Sequence, residues 1–217
     1  MFKFCTCSFF YLRNNFMSKI CIWTRYIKNK VYYHFYSQFC KVKQLNTVMK
    51  DFSKFSAIII GAGDATGAAL TKKFASHGYK VCPARRPRSI KRVNKLADEI
   101  NNSGGWAKGY GVDARDEDEI AKFFREVEEE VAPIDVVIFN PGANVFFPIV
   151  DTTSRVFKKV WEMATFAGFL TGREAAKYMT ARNEGSIFFT GATASMRGGS
   201  GFSAFASAKF ALRAVSQ

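Results

Sequence analysis

The first 50 residues contain no aspartate or glutamate, although they contain nine lysines and arginines. This segment therefore supplies +9 of the formal net charge of +14, and the remaining 167 residues carry only +5. Positive charge that is confined to one segment is weak evidence for a nucleic-acid-binding protein, and no RNA- or DNA-binding motif accompanies it. We expect no nucleic-acid partner.

The same segment also lacks the marks of a secretory signal and of a membrane span. It shows no apolar core followed by small residues at a cleavage site, so its cysteines do not indicate a disulfide framework. These are Cys5, Cys7, Cys21 and Cys40. Its longest uncharged runs reach about ten residues, whereas a membrane-spanning helix needs about 20.

Two interpretations of residues 1–48 stay open. The absence of acids agrees with a mitochondrial transit peptide, but the excess of lysine over arginine, the few serines and the aromatic load do not. The alternative, which we favour, is a basic, aromatic-rich extension of upstream sequence, with Met49 as the working start of a cytoplasmic protein.

From residue 49 to residue 217, apolar strand-like runs alternate with amphipathic segments of helical length. This alternation is typical of βαβ units and predicts one α/β domain, a doubly wound parallel sheet of the Rossmann type with helices on both faces. The predicted strands are residues 56–61, 80–86, 107–112, 134–142 and 185–191. The predicted helices are residues 66–78, 89–101, 116–131, 154–180 and 201–217.

The sequence GAGDATG, residues 61–67, lies between a predicted strand and a predicted helix. Glycines in this context let the backbone approach a pyrophosphate, which the helix N-terminus then stabilises. The predicted contacts come from Gly61, Gly63, Ala65, Thr66 and Gly67. A tight turn that uses glycines without binding a ligand is the alternative.

The residues at the end of the second predicted strand read ARRPR, residues 84–88. A Rossmann site usually has an acidic residue about 20 positions after the glycine turn, where it holds the ribose hydroxyls. The guanidinium groups of Arg85 and Arg86 suit a 2′-phosphate instead, so we expect NADP(H) to be favoured over NAD(H). An exposed basic loop is the alternative.

From about residue 55 to residue 217 the chain resembles the short-chain dehydrogenase/reductase family. The motifs that carry the resemblance occur in order: the glycine turn, GVDARD, FNPGA, GSIFFTGATAS and FASAK. The resemblance implies that Asp113 lies near the adenine and that Asn140 and Gly142 follow the fourth strand. It also implies hydride transfer to or from a small-molecule carbonyl or alcohol substrate, with no metal.

In this family a lysine bonds the nicotinamide ribose and lowers the pKa of a tyrosine one helical turn earlier, which passes the proton. The resemblance assigns the lysine to Lys209, but Phe205 stands in the tyrosine position. Ala192 replaces the serine that polarises the carbonyl, and Ala164 replaces a helix asparagine. Thr193 is a possible substitute for the serine. The alternative for Lys209 is a solvated lysine on an amphipathic helix.

The chain stops inside the helix that contains Lys209, whereas the resemblance implies at least one further parallel strand and a loop over the substrate. We therefore expect an incomplete domain with its last strand or strands missing. Residues 185–191 would then form an exposed apolar edge, which invites aggregation or pairing with another chain.

The resemblance further implies homo- or hetero-oligomers formed through helices 154–180 and 203–217. Small residues on the second helix, Ala204, Ala208 and Ala211, would allow a close approach there. Phe146, Phe147 and Phe202 are candidates for an apolar substrate pocket.

Three functional hypotheses remain. The first is an NADP(H)-dependent oxidoreductase with altered proton transfer. The second is a nucleotide-binding relative without turnover, which acts as a sensor or as the silent partner in a hetero-oligomer. The third is a fragment without a function of its own.

Overall fold

The computed structural model describes residues 9–12, 24–27, 30–33 and 50–217. The expectations on Met49 and on the four N-terminal cysteines fall outside these residues. In the N-terminal segment the described strands are β1 (Phe9–Leu12), β2 (Thr24–Ile27) and β3 (Lys30–Tyr33). Strands β2 and β3 pair with each other as an antiparallel sheet.

The main sheet is built from short, apolar strands that follow the predicted order. They are β4 (Ser56–Ile60), β5 (Lys80–Arg85), β6 (Trp106–Ala107), β7 (Tyr110–Gly111), β8 (Ile134–Phe139) and β9 (Ser186–Thr190). Every residue of β4 and of β8 is buried, as expected for parallel strands that are covered on both faces.

Helices connect these strands. They are α1 (Thr66–Ala75), α2 (Ile90–Asn102), α3 (Glu117–Glu126), α4 (Ser154–Trp161), α5 (Ala167–Arg182) and α6 (Ser203–Val215). Helix α2 shows why they pack as they do, because its buried residues Val93, Leu96, Ala97 and Ile100 recur at the spacing of one helical face.

The strand order in the main sheet is β1, β9, β8, β4, β5, β6, with β7 also paired to β5. All pairs among β4 to β9 are parallel. The chain runs from β4 outward through β5 and then returns to the other side of β4 at β8. The order therefore reverses beside β4, and in open α/β sheets ligands bind at the carboxyl ends of the strands at such a point.

The helices cover both faces of the sheet, which confirms the predicted doubly wound fold. One apolar cluster joins the sheet to α1 and α2 through residues such as Ala75 and Leu96. A second cluster on the other face contains Ile120 of α3, Leu170 of α5 and Leu212 of α6.

Two predicted elements differ in detail. Residues 107–112 were expected as one strand, but β6 and β7 are separated by Lys108 and Gly109. A Cβ atom at Gly109 would lie 2.6 Å from Oδ1 of Asn94, so the backbone passes close to α2 at this point. The predicted helix 154–180 continues to Arg182, and a π-helical turn over Glu162–Phe166 separates α4 from α5.

The expectation of an exposed edge at residues 185–191 is wrong. Strand β1 pairs antiparallel with β9, and the register sets Phe9 opposite Thr190 and Leu12 opposite Ile187. The N-terminal segment therefore adds a strand to the main sheet. Across the described ranges, no helix is both long enough and apolar enough to cross a membrane.

Candidate functional site

The glycine turn is held at the carboxyl ends of three neighbouring strands. Gly61 follows β4 with φ at +79°, and its N–H donates to the carbonyl oxygen of Ala84 at 2.9 Å. The Nδ2 of Asn140, just after β8, donates to the carbonyl oxygen of Gly61 at 3.2 Å. A Cβ at Gly61 would lie 3.1 Å from the backbone of Asn140 and Pro141, so both its dihedral angle and its surroundings favour glycine.

The last glycine of the turn lets α1 begin directly against it. A Cβ atom at Gly67 would lie 2.5 Å from the carbonyl oxygen of Gly61, which is far closer than atoms pack. Ala65 and Thr66 are exposed at the start of α1. Among the described residues, no side chain caps this end of the helix, so its positive end is open toward an anion.

The turn forms one wall of a cavity of about 470 Å³. The cavity brings together every residue that the sequence predicted to bind nucleotide, apart from Lys209. These residues are Gly61, Gly63, Ala65, Thr66, Gly67, Arg85, Arg86, Asp113, Asn140 and Gly142. The rest of its wall includes Asp64, Arg115, Met163 and Ala167.

Arginine side chains enter the cavity from the end of β5. The Nη1 of Arg85 donates to Oδ1 of Asp64, a residue of the glycine turn, at 3.0 Å. Arg86 is exposed and lines the same wall. Two cations therefore stand next to the open N-terminus of α1, which makes this part of the cavity suited to phosphate groups.

Asp113 lines the same cavity and forms an ion pair with Arg115. Its carboxylate accepts hydrogen bonds from Nε of Arg115 at 2.9 Å and from Nη2 of the same residue at 2.5 Å. These bonds lower the pKa of Asp113 below its ordinary value, so its carboxylate is ionised at neutral pH. Arg115 was not among the predicted site residues, although it stands two residues after Asp113.

Lys209 is buried, with 2% of its surface exposed, so the alternative of a solvated lysine is wrong. Its Nζ donates to the carbonyl oxygens of Pro141 at 3.1 Å and of Thr190 at 2.9 Å. The ammonium group therefore lies between the ends of β8 and β9. Pro141 lines the cavity, so Lys209 stands directly behind its wall.

The other positions of the expected catalytic centre lie outside the cavity lining. Phe205 is buried on α6, and the centroid of its ring is 6.5 Å from that of Phe202. The N–H of Ala192 donates to Oγ of Ser195 at 3.1 Å, where a short 3₁₀ turn, Thr193–Ser195, begins. Ser195 is fully buried, so its hydroxyl stabilises this loop.

Ala164 is fully buried in the π-helical turn between α4 and α5. The next residue, Thr165, donates its hydroxyl to the carbonyl oxygen of Ala208 at 2.9 Å. No pattern in the sequence indicates this contact, which fixes α6 one residue before Lys209.

The aromatic residues considered for a substrate pocket lie together at an exposed rim. The rings of Phe146 and Phe202 meet edge to face with centroids 5.2 Å apart, and Phe146 is 64% exposed. The N–H of Phe147 donates to the carbonyl oxygen of Gly201 at 2.9 Å, which joins the two loops. Within the described part of the chain, no group of histidine, cysteine and acidic residues could hold a metal ion.

Curated proteins are similar to this chain over part of their length. Versicolorin reductase stcU of Emericella nidulans is 31% identical over 143 residues, which are 65% of this chain and 53% of that protein. A 2-dehydro-3-deoxy-D-gluconate 5-dehydrogenase of Pseudoalteromonas atlantica is 25% identical over 156 residues, 72% of this chain and 61% of that protein. The chain spans about half the length of the curated relatives that head the comparison.

Solved structures share the fold. A short-chain dehydrogenase from Rhodopseudomonas palustris has a TM-score of 0.72 and 54% sequence identity, and the match covers 75% of each chain. A metagenomic short-chain oxidoreductase in complex with NADP has a TM-score of 0.68 at 23% identity, over 76% of this chain and 75% of that one.

The family match is continuous through the domain. The sequence model of the short chain dehydrogenases matches residues 56–217. These include every cavity-lining residue and helix α6, which contains Lys209. With the strand order, the glycine turn and the position of Lys209, this match identifies the chain as a member of the short-chain dehydrogenase family of oxidoreductases.

Proposed function

We propose that this chain binds NADP(H) in preference to NAD(H) and that its centre for proton transfer is inactive in the form the family uses. The observation that carries the proposal is the single cavity that joins the glycine turn, the open N-terminus of α1 and the guanidinium groups of Arg85 and Arg86.

The residues of the cavity fit a dinucleotide. The surroundings of Gly61 and Gly67 leave no room for a side chain, and Gly63 has no side chain to stand in the way of a ligand. Phosphates can therefore approach the backbone of the turn closely. Arg85 and Arg86 would hold the 2′-phosphate, and Asp113 would face the adenine. When bound, the nucleotide supplies or accepts a hydride at a carbonyl or alcohol carbon.

Lys209 would serve the nicotinamide end of the site. Its Nζ is fixed by the carbonyl oxygens of Pro141 and Thr190, and this places a positive charge behind the wall of the cavity. In the family pattern that charge acts on a tyrosine hydroxyl one turn earlier, but the phenyl ring of Phe205 has no proton to transfer.

Ala192 has no hydroxyl with which to polarise a carbonyl oxygen, and Ala164 has no amide. General acid catalysis typically contributes about 10²- to 10⁴-fold in rate. The site therefore retains the groups for binding and lacks those for proton transfer, which favours a nucleotide-binding relative with slow turnover of small carbonyl or alcohol substrates.

Known proteins support the oxidoreductase and nicotinamide-nucleotide part of this proposal. The curated relatives carry reductase and dehydrogenase names, and one protein with the same fold was crystallised with NADP. The preference for NADP(H) rests on Arg85 and Arg86 alone.

Titration of the purified chain with NADPH and with NADH tests the proposal. We expect NADPH to bind at least about tenfold more tightly, or about 1.4 kcal/mol, because guanidinium groups form charge-assisted bonds to the 2′-phosphate. The double variant Arg85→Ala, Arg86→Ala should lose this preference, whereas Arg125→Ala, an exposed arginine on α3, should keep it. Equal affinities of the parent for the two nucleotides would refute the assignment.

A further inference from the structure

The glycine turn contains an acidic residue that contacts two arginines. The carboxylate of Asp64 accepts from Nη1 of Arg85 at 3.0 Å and from Nη1 of Arg92 at 3.3 Å. Arg85 ends β5 and Arg92 lies in the first half of α2, so one carboxylate joins three separate elements.

Asp64 and Arg85 line the cavity, Arg92 lies outside its lining, and each of the two ion pairs has at least one solvent-exposed side chain. The side chains of Asp64 and Arg92 are each 70% exposed, and that of Arg85 is 23% exposed. Exposed ion pairs contribute little to folding, so their partners exchange easily. We therefore expect the fold to tolerate the loss of the Asp64 charge.

A 2′-phosphate would compete with Asp64 for the same guanidinium groups. A phosphate monoester carries a charge of about −1.5 to −2 at pH 7, whereas a carboxylate carries −1. The phosphate can displace the carboxylate, but part of its binding free energy is then used to break the existing ion pairs. NADH has no 2′-phosphate and does not have to break them.

Asp64 also lies beside the place where the pyrophosphate would bind. Repulsion between its carboxylate and the pyrophosphate weakens NADPH and NADH alike, because both contain this group. Competition for Arg85 and Arg92 weakens NADPH alone. The two effects are therefore separable in the ratio of the two affinities.

We propose that Asp64 is a specificity-determining residue that reduces the preference for NADPH by occupying Arg85 and Arg92, and that Arg92 is a third ligand of the 2′-phosphate. This inference rests on the proposed nucleotide-binding function.

The test compares four forms of the full chain: the parent, Asp64→Asn, Arg92→Gln and a control, Asp98→Asn, which removes an exposed acid of α2. Affinities for NADPH, NADH, adenosine 2′,5′-bisphosphate and AMP are measured by calorimetry. The last two probes report the 2′-phosphate contact without the nicotinamide. Thermal unfolding of each form checks that the fold is retained.

Asp64→Asn should raise the ratio of NADPH to NADH affinity by about three- to fivefold, as expected when a competing exposed ion pair is removed. The ratio for the bisphosphate and AMP should rise by a similar factor. Arg92→Gln should lower NADPH affinity and leave NADH affinity unchanged, and Asp98→Asn should change neither ratio.

Failures of the two proposals can be told apart. If the parent prefers NADPH but Asp64→Asn leaves both ratios unchanged or lowers them, the inference is overturned and the proposed function stands. If the parent binds neither dinucleotide, both are overturned.

Discussion

Lys209 is the residue whose environment says most about this site. It is almost fully buried, yet its Nζ is bonded to two main-chain carbonyl oxygens at the ends of β8 and β9. A buried ammonium group is costly unless such acceptors surround it. The chain thus retains a buried cation behind the cavity wall, while Phe205, the residue on which the proposed function would have this cation act, has no titratable group.

Restoring the missing hydroxyls tests whether this cation is still in position for catalysis. Phe205→Tyr should produce or increase carbonyl-dependent oxidation of NADPH, because Lys209 can lower the pKa of the new phenol. Adding Ala192→Ser should give more than the sum of the single changes, since both groups act on one oxygen. The measurement is NADPH oxidation across a panel of ketones and aldehydes, with Phe210→Tyr, an exposed position of the same helix, as the control.

Fast turnover by the parent that neither substitution changes would show that the catalytic acid lies elsewhere. Thr193, the residue after Ala192, would then be the first position to replace. The proposal of an inactive centre would be wrong.

At the scale of elements, the long helix formed by α4, the π-helical turn and α5 contacts α6 inside the chain. Ala204 and Ala208 are buried in a cluster with Ala164 and Val160, and Thr165 bonds the carbonyl oxygen of Ala208. Two of the small residues that the sequence suggested for contact with a second subunit, Ala204 and Ala208, therefore pack inside the chain, whereas Ala211 is half-buried. Oligomers formed through these helices stay a prediction.

A different face of the long helix remains open to a second chain. Trp161, Phe166 and Phe169 form a stacked row with centroid distances of 6.1 and 6.4 Å, and Trp161 and Phe169 are more than 40% exposed. Exposed aromatic rows of this kind are frequent at protein interfaces. We propose that oligomers form through this row.

The double variant Trp161→Ser, Phe169→Ser should therefore shift the chain toward monomer in sedimentation velocity, with little change in thermal unfolding. Lys122→Ser, at an exposed position of α3, serves as the control and should leave the sedimentation profile unchanged. A parent that is monomeric at all concentrations, or a variant that associates as strongly as the parent, would contradict the proposed interface.

At the scale of the whole molecule, strand β1 and the cavity at the glycine turn involve different strands of the main sheet. Strand β1 pairs with β9 at one edge of the main sheet. Among the described residues, the cavity is lined by residues between Ile60 and Ala167, which include the ends of β4, β5 and β8. Nucleotide binding and protection of the sheet edge are therefore expected to depend on different parts of the chain.

Deleting residues 1–48 should leave nucleotide affinity unchanged within about twofold, or roughly 0.4 kcal/mol. The same deletion removes the partner of β9 and exposes its unpaired N–H and C=O groups, so we expect increased self-association. Calorimetry and light scattering measure the two effects on one sample. A large loss of affinity would show that the segment supports the cavity, and unchanged light scattering would show that β1 does not protect this edge.

Local signals in the sequence determined much of the site. The apolar runs of β4 and β8 and the glycines at 61 and 67 are recognisable from neighbouring residues. The nucleotide-binding residues predicted from these signals and from the resemblance, apart from Lys209, line one cavity. Such predictions succeed because burial of a strand and the φ angle of a glycine depend on residue type and near neighbours.

Contacts between distant residues were decided by the tertiary structure alone. Asp64 and Arg92 are 28 residues apart, Lys209 and Pro141 are 68 residues apart, and β1 meets a strand from the other end of the chain. No periodicity or spacing encodes these pairs, because they depend on how packed helices and strands bring side chains and sheet edges together. The sequence thus determined which groups are available for the proposed nucleotide binding, and packing decided which of them are already paired with one another.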